Sequence, residues 1–247
     1  QEYVDIDLPT EDLTELLTQT GLNFEGYVET DHDDTVLDLE VTSNRPDWLG
    51  HLGVARELAA ATEKPFTLPT VTLPAGSDDV NDLTSVTVDA PALCPRYTAR
   101  IIRNVKVGPS PEWLVKRLEA IGLRSVNNVV DITNFVLMEY SQPLHSFDYD
   151  KLAEGRIVVR NARKGETLVS IDETTCELNE EMLVIAGANA PIAIAGIMGG
   201  LATEVSESTT TILLEAAQFD QLVTRKTSRK LGLFSDSNFR FERFHIV

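Results

Sequence analysis

At 247 residues, with 43% hydrophobic and 24% charged side chains, the chain can bury one large or two modest globular cores. Its longest apolar run, MLVIAGANAPIAIAGIMGG, is broken by Gly, Asn and Pro, so it makes no membrane-spanning helix, and no basic stretch leading into an apolar one suggests a secretory signal. The net charge of −18 argues against a nucleic-acid partner for the chain as a whole.

In chain order, LPTEDLTELLTQTGL predicts a helix, with Thr10 as N-cap, Leu13, Leu16 and Leu17 at helical spacing and Gly21 as the stop. YVETDHDDTVLDLEV ends in a strand-like alternation. RPDWLGHLGVARELAAATEK predicts a second helix, closed by Pro65. The Pro/Thr/Asp-rich segment TLPTVTLPAGSDDVNDLT reads as a connector and puts a domain boundary near residue 83, giving units 1–82 and 83–247. SVTVDAP and RYTARIIRNVKVG then read as strands, and SPEWLVKRLEAIGL as a helix with Ser110 at the N-cap and Pro111 at its first position. VVDITNFVLMEY is apolar enough to be helix or strand. RIVVRNARKGETLVSIDETTCELN predicts a β-meander with turns at KGE and IDE. MLVIAG, PIAIAGIMGG and TTTILLEAA read as strands, and FDQLVTRKTSRKLGL as a closing helix before SDSNFRFER. The expected class is therefore α+β, with a small helical or mixed first domain and a larger, β-rich mixed second one.

Charge is unevenly spread. Residues 1–94 hold 20 of the 39 acids and 3 of the 21 bases, whereas residues 225–243 concentrate Arg225, Lys226, Arg229, Lys230, Arg240 and Arg243 against Asp236 and Glu242. RNA contact through that segment stays open, as does a merely solvated helix face. Cys94 and Cys176 form no CxxC and suit a reducing cytoplasm without zinc. Asp31, His32, Asp33 and Asp34 have oxygen and imidazole donors but read as a solvated loop rather than a metal site. The chain opens on Gln1 within an apparent structural element, as expected of a piece cut from a longer polypeptide.

NRPDWLGHLGVARELAA, CPRYTARII, WLVKRLEAIGLRSVNNVVDITNFVLMEYSQPLHSFD, GETLVSIDE, IAGIMGG, ILLEAAQFD and RKLGLFSDSNFRFER follow one another in the order and spacing of the bacterial phenylalanyl-tRNA synthetase β chain, which this sequence resembles. The resemblance implies that residues 1–82 are that chain's first domain and 83–247 its central editing module, which hydrolyses tyrosine wrongly attached to phenylalanine tRNA. Typical bacterial members carry an OB-fold, tRNA-binding insertion where this chain has only VETDHDDT. The aminoacylation site, with its ATP and Mg²⁺, belongs in the family to the α subunit of a cytoplasmic α2β2 assembly. No cofactor is expected in this chain. A non-catalytic tRNA-binding scaffold and a free-standing deacylase are the alternative readings.

Residue by residue, His145 after Pro143 is either packed in a turn or part of a site. The resemblance places it in the editing pocket beside Thr133 and Asn134, orienting the terminal adenosine or the attacking water, with general-base action second. Glu215 ends the apolar strand TTTILLE, so it should be partly desolvated and in need of a hydrogen-bond donor. The matching family residue accepts the hydroxyl of tyrosine. A site built to bind a hydroxyl rejects the analogue lacking it by about 10⁴–10⁵-fold. Gly196, Gly199 and Gly200 form neither a Walker loop nor a GxGxxG fingerprint; the resemblance has them line the amino-acid pocket, with Ala195 in the same wall. Ser235 and Ser237 match positions where bacterial members often have threonine and alanine, so the hydroxyl of Ser237 is an added polar group in the pocket.

Overall fold

Thr10–Thr20 forms the first helix, α1, and its two ends show how the sequence sets it. Thr10 is the first helical residue rather than the cap. Pro9 occupies the N-cap in an extended conformation, and no side chain caps the helix. Gly21 closes it at φ 101°, where the Gly21 and Leu22 amides donate back to the Thr18 and Leu17 carbonyls. The structure, a computed structural model, describes residues 2–30, 34–74, 76 and 78–243, so Asp31, His32 and Asp33 lie outside the described residues.

Two strands, β1 (Asn23–Val28) and β2 (Val36–Glu40), pair antiparallel after α1. The expected second helix is split. Pro46–Leu49 makes one tight 3₁₀ turn, Gly50 is extended, and α2 runs from His51 to Thr62. The break has a physical cause, because the backbone of Gly50 lies against Ser141 N and Glu139 O from the far side of the molecule. Leu17, Leu22, Trp48, Leu58 and Tyr3 form the core of this first unit.

The remainder is β-rich, with β3 (Ser85–Val88) and β4 (Arg96–Arg103) followed by helices α3 (Glu112–Ala120) and α4 (Asn128–Tyr140). Pro111, not Ser110, sits at the N-cap of α3, because the Ser110 hydroxyl donates instead to buried Asp131. The ambiguous apolar segment is helical: the Asn127 side chain accepts from the amides of Val129 and Val130 and starts α4. Then come β5 (Leu144–Asp148), β6 (Arg156–Asn161), the hairpin β7 (Thr167–Val169) and β8 (Thr175–Glu177), β9 (Leu183–Ala186), β10 (Pro191–Ile194), β11 (Met198–Gly199) and β12 (Thr211–Gln218). Helices α5 (Gln221–Leu231) and α6 (Asp236–Phe241) follow.

Two sheets stack, one ordered β11-β10-β9-β6-β3 and the other β4-β12-β5. Their facing sides share one core, in which Phe147, Leu213 and Ala217 meet Leu183, Ile185 and Ala193. Val184 and Ile194 point to the opposite side of the larger sheet and pack with Leu168, Cys176 and Leu233. All four residues of β9 are therefore buried, which explains why it reads as an unbroken apolar run. Among the described residues no helix is long and apolar enough to cross a membrane.

Candidate functional site

β12 and β5 run antiparallel in a register that puts Glu215 directly opposite His145. Directly opposed residues share a face of the sheet, and this face looks toward β9 and β10. Where the two sheets part, a cavity of about 60 Å³ opens, lined by His145 and Glu215 together with Ile185, Ala193, Gly199 and Phe219. Most of the residues that line it are apolar, and His145 and Glu215 are its two ionisable groups.

The sequence positions each group. Ser141 ends α4 in a left-handed conformation, and Pro143 leads the chain into β5 two residues before His145. The imidazole stands edge-on to Phe147, with centroids 4.5 Å apart. It rests on the backbone of Gly199, where an added Cβ would lie 2.4 Å from its Cε1 and 2.7 Å from its Nε2. Gly199 is thus required to be glycine by the ring beside it. The ring nitrogens make no hydrogen bond within the described residues and are free for a ligand. Glu215 is 5% exposed, and the hydroxyl of Tyr97 on β4 donates to its Oε2 at 2.9 Å.

Burial drives the two protonation equilibria apart. It pushes the Glu215 carboxyl up to about 8, with the Tyr97 hydrogen bond pulling the other way, and pushes the His145 imidazole down to about 4. Near pH 7 the site holds a mostly protonated acid beside an unprotonated imidazole. The expectation of a bare carboxylate in need of a donor is therefore changed in two respects. Tyr97 already supplies one donor, and burial favours the neutral form.

The other sequence-derived residues separate into two groups. Gly196, Gly199 and Ser237 line the cavity with His145 and Glu215. Gly196 has φ 71° and lies against Phe219 and Phe241, where a Cβ would come within 3.0 Å of either ring. Ala195, Gly200, Thr133, Asn134 and Ser235 do not line it. Ala195 is buried in the core behind the wall, and Gly200 packs on the Ile192 carbonyl. The Thr133 hydroxyl donates to the Val130 carbonyl one turn back in α4, and Asn134 lies on the same helix. Ser235 caps α6 in a capping box with Asn238, and its hydroxyl donates to Ile197 O. It thereby fixes the helix that carries Ser237.

Sequence reasoning missed Tyr97, whose only signal was an aromatic residue in a strand. It also misassigned Arg240. That residue belongs to the basic stretch but is 4% exposed, donating to Leu49 O at 2.9 Å and to Asp236 O at 3.1 Å. Arg225, Lys226, Arg229 and Lys230 are exposed along α5 and make no ion pair among the described residues. Cys94 and Cys176 are both buried and free. Among the described residues, no group of three or more His, Cys, Asp or Glu could hold a metal ion.

Residues 93–245 match the B3/4 domain family. Over 241 residues the chain is 52% identical to the phenylalanine–tRNA ligase β subunit of Rhodopirellula baltica, covering 98% of this chain and 35% of that protein. The β subunit of Moorella thermoacetica is 55% identical over 212 residues, 85% of this chain and 26% of that protein. The chain thus spans about a third or less of the length of these curated relatives. A crystal structure of an N-terminal fragment of the phenylalanyl-tRNA synthetase β-subunit from Pyrococcus horikoshii aligns with a TM-score of 0.45 and 15% identity, covering 92% of this chain and 70% of that one.

Proposed function

The chain belongs to the B3/4 domain family, and on that premise we propose that it is the editing portion of a phenylalanine–tRNA ligase β subunit, hydrolysing tyrosine esterified to phenylalanine tRNA. Residues 1–82 are its first domain and 83–247 the editing module. One observation carries the reading: Glu215 and His145 face each other in a cavity whose other lining residues are mostly of apolar type. That pairing suits an amino-acid side chain which is an apolar ring with one hydroxyl at its tip.

The chemistry asked of the site is modest. Water adds to the ester carbonyl carbon, the bond to the ribose oxygen breaks, and the proton lost by the water ends on that oxygen. An activated ester needs alignment of the water and relief of the developing negative charge more than it needs a strong base. An imidazole held near 4 is a weak general base at pH 7. It is well suited to accept a hydrogen bond from water and hold it in line. Glu215, mostly protonated at neutral pH, can both donate to and accept from a phenolic hydroxyl. Phenylalanine offers it neither, so the buried carboxyl would lose access to water and gain nothing.

Beyond the cavity, the exposed cations of α5 are the surface we assign to the phosphates of the tRNA acceptor end. In this reading the chain works in the cytoplasm beside an α subunit in an α2β2 enzyme. Aminoacylation there uses ATP and Mg²⁺ at the α subunit's own site, and no step assigned to this chain passes through them. Release of tyrosine from Tyr-tRNA(Phe), compared for the wild type and His145→Ala, tests the proposal. The substitution is expected to slow release about 100-fold. Release at the spontaneous rate, even after adding the α subunit and the remaining β-chain domains, would overturn it.

A further inference from the structure

Tyr97 lies opposite Ala217 on β12, which places it one step diagonally from Glu215 on the same face of the sheet. An aromatic side chain spans that diagonal, and its hydroxyl reaches Oε2 of Glu215 at 2.9 Å. This is the only hydrogen bond the Glu215 side chain makes among the described residues, so Oε1 is the oxygen left for a ligand in the cavity. The terminal torsion of glutamate is intrinsically broad and two-fold. Among the described residues, the Tyr97 hydroxyl is the one hydrogen-bond donor that fixes which way the carboxyl plane faces.

We propose that Tyr97 is the specificity-determining positioning residue of the cavity: by donating to Oε2 of Glu215 it fixes the carboxyl plane and turns Oε1 toward the hydroxyl of a phenolic side chain. The identity of the substrate rests on the editing reading; the selection of a phenol over a benzene ring does not. Losing the tyrosine hydroxyl leaves the ring and its packing in place. What changes is that both carboxyl oxygens then compete for the ligand in two orientations.

Tyr97→Phe is compared with the wild type, alone and in a Glu215→Ala background, by two readouts. In the first, hydrolysis of Tyr-tRNA(Phe) is expected to fall about tenfold, while hydrolysis of Phe-tRNA(Phe) stays within about threefold. The substitution is expected to have no further effect once Glu215 is alanine and offers the Tyr97 hydroxyl no acceptor, a coupling that mere loss of packing would not produce. In the second, p-cresol and toluene are titrated into the chain by NMR without any tRNA. The wild type is expected to prefer p-cresol, and Tyr97→Phe to lose most of that preference. An unchanged ratio of the two esters, additive effects in the Glu215→Ala background, or a wild type binding both small molecules equally would overturn the proposal. Absence of hydrolysis, even with the α subunit and the remaining β-chain domains added, together with a p-cresol preference that Tyr97→Phe abolishes would instead overturn the editing reading and leave the role of Tyr97 standing.

Discussion

Glu215 on β12 and His145 on β5 are directly opposed, yet burial moves their protonation equilibria in opposite directions, to about 8 and about 4. Both groups are therefore largely uncharged through the neutral range. An apolar cavity can hold two neutral groups at little cost, whereas two opposed charges would each have to be desolvated.

This arrangement makes stability depend on pH in a definable way. The folded carboxyl of Glu215 keeps its proton above the 4.5 at which the unfolded chain releases it, so its contribution is fully present below about 4.5 and is lost as pH rises toward 8. His145 acts oppositely: its folded value lies below 6.5, so stability rises between about pH 4 and 6.5 as the unfolded chain gives up its proton. Of these two groups, Glu215 contributes most of the change above 6.5. Urea unfolding at pH 6.5 and 8.5 should show the wild type losing stability on the order of 1–2 kcal/mol across that interval. Glu215→Gln, which cannot ionise, should stay flat. Parallel curves for the two proteins would contradict this assignment.

Gly199→Ala tests the seat of the imidazole. The new methyl group would stand 2.4 Å from Cε1 of His145, so the ring must move. Hydrolysis is expected to fall about 100-fold, with a loss of about 1–3 kcal/mol in stability from overpacking. Gly108→Ala, where a Cβ meets nothing within 4 Å, is the control and should change neither.

Arg240 holds three segments at once. Its guanidinium donates to Leu49 O in the first unit, contacts Sδ of Met138 at the end of α4, and donates to Asp236 O in α6. Arg240→Ala is expected to cost about 2–4 kcal/mol in thermal or urea unfolding. Arg240→Lys should recover little of this, because an ammonium group lacks the planar fork that spans three acceptors. A change below about 0.5 kcal/mol would instead return Arg240 to the solvated surface that its neighbours in sequence suggest.

The cations of α5 make a separate prediction. Replacing Arg225 and Arg229 by glutamine should weaken tRNA binding. It should also flatten the salt dependence of log Kd by roughly one unit per lost phosphate contact. Fluorescence anisotropy between 50 and 200 mM salt, concentrations chosen to span the steep region, reads both quantities. An unaltered slope would mean that α5 faces solvent only.

The parts of this structure legible in the sequence are those set by local rules. Periodic leucines and Gly21 predicted α1, and alternating apolar residues predicted most strands of the second unit. α4 stayed ambiguous because its segment is apolar on several faces, and its decisive signal was the single Asn127 cap. α6 went unread: it is six residues long, and its capping box uses Asn238 in place of the usual Glu or Gln. In the site, the cavity brings together His145, Glu215, Gly196, Gly199 and Ser237, all of which sequence reasoning had singled out. Tyr97 escaped notice because its partner is 118 positions away, and only the β4–β12 register brings the two together. Arg240 was misjudged for a related reason. A count of basic residues carries no information about which one turns inward, and that is decided here by carbonyls from distant segments.

The measurement that bears most directly on the proposed activity is the ratio of Tyr-tRNA(Phe) to Phe-tRNA(Phe) hydrolysis for the wild type and for Glu215→Ala. The result expected is a wild type that removes tyrosine at least 100-fold faster than phenylalanine, and a Glu215→Ala variant, which has neither donor nor acceptor there, in which that ratio collapses toward one. A wild type that cleaves both esters at equal rates, or a ratio untouched by the substitution, would contradict Glu215 as the group that reads the hydroxyl.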